Sequence, residues 1–203
     1  MRKKIKNAEN KGFTLVELIV VLVILAILAA ILVPALLGYI DKAKGQNLVI
    51  NGKNALTAVQ TVAIEGYAQG NKKTRDYFID YPNYAPIKRS MEIADTPAPS
   101  GFIFGMQAEG AWNEQSKEAK AGNHDAWTVK RVLYWEGNRT SNPPAALFNG
   151  EEWITGMNYY DAIKELYNSG EYYLVEKDSK GKVTAYSMWN LSDTVFTDIT
   201  LPH

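Results

Sequence analysis

Few side chains in this sequence are spaced to do chemistry. His124-Asp125 comes nearest to a general base oriented by a carboxylate, but spacing places no third partner beside it, and a surface histidine accounts for it. The other histidine, His203, has no neighbour of that kind. The chain carries no HExxH, no phosphate-cradling glycine loop and no carboxylate-dense calcium loop. Asp178-Ser-Lys-Gly181 looks superficially metal-like, but a hairpin turn explains it. Cysteine is absent, so thiolate chemistry and disulfides are both unavailable. No catalytic residue, metal ligand or cofactor site is therefore expected, and the chain is read as a non-enzyme. Glu17 stands apart from all of these. It sits just inside an apolar segment, where an ionised group is expensive and points to a function.

That segment sets the frame. From Leu18 to Ile40, 23 positions carry no charged side chain. As a helix they would extend about 34 Å, enough to cross a bilayer. Upstream lie Arg2, Lys3, Lys4, Lys6 and Lys11, which with Glu9 give this leader a net +4; the remaining 17 basic and 21 acidic residues give −4. The basic leader should stay in the cytoplasm and the long polar C-terminal part should lie outside. A mildly acidic chain beyond the leader offers no general reason to bind nucleic acid. An ordinary secretory signal would have a shorter apolar region, with its cleavage site after it. An uncleaved signal anchor shares the hydropathy but makes no demand for Glu17.

Phe13 to about Ala68 reads as one long helix. Its first half is apolar all round, as in a span or a buried bundle element. Its second half is amphipathic, with Leu48, Ala55, Leu56, Val59, Val62, Ala63 and Tyr67 mostly three and four residues apart, a face expected to pack on the domain's own sheet. Pro34 lacks an amide hydrogen and should bend or loosen the helix. Gly38, Gly45 and Gly52 each weaken helix propensity by about 1 kcal/mol relative to alanine.

Beyond the helix, Gly70 to about Gly110 reads as loop, broken by Pro82, Pro86, Pro97 and Pro99 and pinned by Tyr77, Phe78, Tyr81 and Tyr84; within it Gly101–Gly105 reads as a strand. Val129–Trp135 is expected to be a strand, Asn138–Pro144 a turn, and Tyr159 to Tyr167 a short helix ending near Ser169-Gly170. Glu171–Asp178 and Lys182–Asn190 read as a β-hairpin around Ser179-Lys180-Gly181, and Thr194–Leu201 as a last strand. A long helix followed by an antiparallel sheet is an α+β arrangement. About 160 residues outside the leader and apolar helix suffice for one domain with its own core. Trp112, Trp127, Trp135, Trp153 and Trp189 all lie in this distal half and are read as core. Asn138-Arg-Thr140 and Asn190-Leu-Ser192 match the N-glycosylation triplet; the pattern is common by chance, and no function is assigned to it.

Basic leader, Gly12-Phe13 junction, Thr14, the acid Glu17 and Pro34 together resemble the prepilin signal of type IV pilins and their pseudopilin relatives, over roughly the first 45 residues. The resemblance implies cleavage after Gly12 by a prepilin peptidase, N-methylation of Phe13, and a Glu17 that neutralises the Phe13 amine of a neighbouring subunit in a filament. It also implies a helix that kinks or melts around Pro34 and Gly38 in the assembly. Expected domains are a leader at 1–12, a transmembrane and filament-core helix at 13–40, and a globular domain at 41–203 that includes the amphipathic helix half to about 70. Expected partners are further copies of the chain, the peptidase, the pilus assembly machinery and, before assembly, the membrane. The precursor would sit in the plasma membrane and the assembled form at the cell surface. A pseudopilin of a secretion or DNA-uptake system shares the same N-terminus, and a monomeric signal-anchored binding protein is the alternative outside the family. Many Gram-negative pilins close a C-terminal loop with a disulfide; lacking cysteine, this chain must rely on packing and backbone pairing.

Overall fold

The computed structural model describes residues 12–70, 77–78, 83–106, 127–166 and 172–188. The leader before Gly12, both histidines, Trp112, Trp189, Tyr81, the Asn190 triplet, Ser169-Gly170 and the expected strand at Thr194–Leu201 lie outside those residues. The chain divides into two compact units, Met1–Ala43 and Lys44–His203, and the helix α1, Leu15–Ala68, contributes to both.

In the first unit α1 carries its apolar side chains outward on every side. Twenty large hydrophobic residues between Phe13 and Ile40 are each at least 40% exposed. The helical backbone continues through Pro34 and Gly38.

In the second unit the helix buries one stripe: Leu48, Gly52, Ala55, Ala58, Val59, Val62, Ala63 and Gly66. Leu56 is partly buried, and Tyr67, at the end of the stripe, is 38% exposed. Small residues dominate because large aromatic rings press in from the sheet side. A Cβ on Gly52 would meet Trp153 Cη2 at 2.5 Å, and one on Gly66 would meet Trp127 Cζ3 at 2.6 Å and Tyr77 Cδ1 at 2.7 Å. Gly52 is thus a socket as well as a weak helix former. Two polar contacts fix the helix axially. Asn51 Nδ2 donates to Glu136 Oε1 at 2.7 Å. Gln60 donates from Nε2 to Trp127 O and accepts at Oε1 from Val129 N, both at 2.9 Å.

The sheet is six-stranded and antiparallel throughout: β1 Ser100–Gly105, β2 Arg131–Glu136, β3 Pro144–Phe148, β4 Trp153–Asn158, β5 Tyr172–Lys177 and β6 Val183–Met188. Their spatial order is β4-β3-β2-β1-β5-β6, so the first strand in sequence pairs on both sides. Alternation sorts the side chains into two cores. Phe102, Phe104, Val132, Tyr134, Tyr173 and Val175 face α1 and the helix α2, Ala85–Ala94. Ile103, Leu133, Trp135, Tyr172 and Leu174 face the helix α3, Tyr159–Leu166. With both faces covered, the central strands read as continuous apolar runs. Gly101 leaves room for the Trp135 ring, as Gly52 does for Trp153.

The strand at Gly101–Gly105, the strand near Val129–Trp135, the short helix from Tyr159 and the hairpin around Ser179–Gly181 all form as expected. Asp178 Oδ1 accepts from Lys180 N at 2.8 Å and Lys182 N at 2.9 Å, which is the turn chemistry expected of that loop. The stretch around Pro86 differs from expectation: it is α2, not loop. Proline in the first helical turn loses nothing, because amide hydrogens there have no intrahelical partner. Ile87, Ser90, Met91 and Ala94 supply its buried face. Pro144 likewise does not end a loop but opens β3, a position where its missing donor is tolerated. The three described tryptophans bear out the core reading: Trp127 and Trp135 are buried, and the partly buried Trp153 packs on Gly52.

Candidate functional site

The chemistry-bearing residues at the N-terminus occupy the first turn of α1 and the three residues before it. Gly12, Phe13 and Thr14 precede the helix and are exposed, Phe13 at 84%. Among the described residues nothing lies within 4 Å of where a Cβ on Gly12 would stand.

Thr14 and Glu17 form a reciprocal cap. Thr14 O accepts from Leu18 N at 3.3 Å, the first helical bond. Thr14 Oγ1 accepts from Glu17 N at 3.3 Å, while Glu17 Oε2 accepts from both Thr14 N and Thr14 Oγ1, each at 2.8 Å. Two amide donors that the helix leaves orphaned are satisfied together. The carboxylate also sits where the helix dipole favours negative charge. Sequence reasoning singled out Glu17 for its charge and missed this partner. The signal was present in the Thr14-x-x-Glu17 spacing, which is that of a capping box.

The structure brings Thr14 and Glu17 together and leaves Pro34 and Gly38 farther along the same helix; among the described residues a Cβ on Gly38 would meet nothing within 4 Å. Leaving twenty apolar side chains in water would cost on the order of tens of kcal/mol, more than a domain's whole stability. The segment is long and apolar enough to cross a membrane, and none of its most apolar window is buried within the chain. Lipid or other apolar helices must cover it.

The second unit offers less chemistry. Among the described residues no group of three or more metal-ligating side chains gathers. Its polar groups serve the fold. Glu136 Oε1 accepts from Asn51 and, at 3.1 Å, from Tyr134 Oη, and burial pushes the Tyr134 hydroxyl well above the usual phenol range. Arg139 Nε pairs with Glu176 Oε1 at 3.0 Å. Burial raises the Glu176 carboxyl, and the Arg139 charge offsets only part of that.

Residues 7–33 match the model of the prokaryotic N-terminal methylation motif. No curated protein and no solved structure matches the chain. The end of the leader from Asn7 with Lys11, the Gly12-Phe13 junction, Thr14, Glu17 and most of the apolar run, to Val33, fall within the matched segment. This chain carries the N-terminal methylation signal found in type IV pilins and pseudopilins, and its long N-terminal helix packed on an antiparallel sheet is an α+β arrangement like that of type IV pilins.

Proposed function

We propose that this protein is the structural subunit of a type IV pilus, cleaved after Gly12, N-methylated at Phe13 and polymerised through its N-terminal helix. The observation that carries the reading is a rod of outward apolar side chains whose sole acid, Glu17, lies one turn from the cleavage junction. Cleavage creates an amine on Phe13. Every atom of the Thr14–Glu17 cap lies on the downstream side of the scissile bond, so the cap survives processing. It holds the carboxylate at the helix start, where the Phe13 amine of a neighbouring subunit would meet it.

In the filament core two opposite charges stabilise each other, whereas either alone carries an unrepaid desolvation cost. Pairing therefore rewards one axial register among the many that featureless apolar helices allow. Assembly exchanges lipid for protein around α1, so packing and this pair drive it with little classical hydrophobic gain. A separate machine supplies the energy. Around Pro34 and Gly38 the helix has one missing amide donor and one weak helix former, which makes that stretch the place where it would bend or melt under load.

Mass spectrometry of the mature chain from native cells, with imaging of the purified assembly, tests the reading. A methylated Phe13 terminus in filaments supports it. An intact Met1 terminus on a solitary membrane protein would refute it.

A further inference from the structure

Asn138-Arg139-Thr140 has the spacing of an N-glycosylation acceptor, which functions only where it is presented at a surface. It occupies the connection between β2 and β3, at the short 3-10 turn Arg139–Ser141, and both Asn138 and Thr140 are exposed. The middle residue is held elsewhere. Arg139 pairs with Glu176 of β5 at 3.0 Å, and Thr140 O accepts from Tyr160 Oη of α3 at 3.3 Å. Two anchors thus fix the backbone of the triplet while its outer side chains meet solvent.

Those two side chains are already joined. Thr140 Oγ1 donates to Asn138 Oδ1 at 3.0 Å, and Thr140 N donates to the same oxygen at 3.2 Å. Two donors on the amide oxygen make the Nδ2 hydrogens more acidic, which eases loss of a proton as the nitrogen gains a bond. Among the described residues nothing accepts from Asn138 Nδ2, so that nitrogen is available to an outside reactant.

We propose that Asn138 is the acceptor of an N-linked glycan delivered from a lipid-linked oligosaccharide diphosphate by a membrane transferase. A bond forms between Asn138 Nδ2 and the anomeric carbon. The bond from that carbon to the diphosphate oxygen breaks, the lipid diphosphate leaves with the electron pair, and one Nδ2 proton passes to a base of the transferase. Thr140 is a positioning residue, acting through its bond to Oδ1. The proposal rests on the filament reading in one respect: that reading places this domain outside the membrane.

The test uses full-length protein purified from its native cells, with mass spectrometry of the intact chain and of the tryptic peptide Val132–Arg139. The expected result is added saccharide mass on that peptide. It should be lost in Asn138→Asp, which keeps the oxygen that caps the turn but has no transferable nitrogen. It should fall to background in Thr140→Val and persist in Thr140→Ser. A peptide found solely at its unmodified mass overturns the proposal, and so does added mass on that same peptide that survives Asn138→Asp. The same spectra read the mature terminus. An unglycosylated chain beginning at Phe13 therefore refutes the glycan and leaves the filament standing, whereas a chain beginning at Met1 refutes the filament.

Discussion

The two jobs open to Glu17, capping its own helix and pairing with another subunit, are separable by substitution. A capping box accepts glutamine in place of glutamate, so Glu17→Gln keeps an oxygen for the Thr14 amide at 2.8 Å while deleting the charge. Thr14→Val does the reverse. It removes the two bonds made by Oγ1, at 2.8 and 3.3 Å, and leaves the carboxylate and the Thr14 amide in place. Loss of an N-cap side chain costs about 1 kcal/mol, roughly a fivefold change in the population of the ordered first turn. Losing one partner of a desolvated ion pair weakens each subunit contact by about a hundredfold or more. The assay is the ratio of sheared filament to membrane pool, with terminal sequencing to confirm cleavage at Gly12–Phe13. Thr14→Ser should match wild type, Thr14→Val should lower the yield several-fold, and Glu17→Gln should abolish filaments as fully as Glu17→Ala. Membrane insertion should be unchanged in all four. Wild-type yield from Glu17→Gln together with failure of Glu17→Ala would reduce Glu17 to a cap and remove the pairing mechanism.

Three further outcomes follow from the second unit. Gly45→Ala should stabilise by up to about 1 kcal/mol, since its Cβ would meet Thr155 at a comfortable 3.8 Å. Gly52→Ala should instead destabilise by about 1–3 kcal/mol as Trp153 is displaced, and equal melting shifts for the two would refute the socket. The hydroxyl of Tyr159 is buried with no hydrogen-bond partner among the described residues, so Tyr159→Phe should be neutral or stabilising by about 1 kcal/mol, and Tyr134→Phe destabilising by a similar amount; chemical denaturation of the full chain in detergent reads both. Because the folded-state pKa of Glu176 is raised, its ionisation opposes folding above that pKa. Its contribution therefore improves as pH falls through the folded value toward the unfolded one, and Glu176→Gln should flatten the melting profile across that acidic window.

How much was legible beforehand depended on whether a feature is local. The apolar run, the junction and Glu17 declare themselves within a few residues, and the capping box was readable there too. The hairpin at Asp178–Lys182 and the short helix from Tyr159 carry their own turn and periodicity signals. The helix α2 was hidden because its ten residues carry Pro86 in the first turn, and a breaker and a first-turn proline look alike in sequence. The strands β3 and β4 were passed over because Pro144 and Gly156 interrupt them; Gly156 has a φ of 85°, on a strand whose pairing slips register between Ala145 and Leu147. Least visible were the sockets at Gly52 and Gly66 and the Asn51 and Gln60 contacts. Their partners lie 67 or more residues away along the chain for three of the four, and no periodicity announces which glycine faces which ring.

Without cysteine, the C-terminal strands must be held by some other means, and β5 shows what that is. It pairs along its whole length with the central strand β1 and carries β6 on its other side. Two side chains near its end then reach back to two different earlier parts of the chain. Glu176 takes Arg139 from the β2–β3 connection, and Lys177 Nζ donates to Thr96 O at 2.8 Å, in the link between α2 and β1. The Lys177 contact spans 81 residues, but being non-covalent it breaks on unfolding and acts on the folded state alone. A charge-assisted hydrogen bond contributes about 1.5–3 kcal/mol, near the lower part of the range typical of a disulfide. Unlike a disulfide, it persists in reducing surroundings and reforms after rupture. A closure that needs no oxidation step lets this domain complete its fold from its own sequence alone, as the proposed filament role would require.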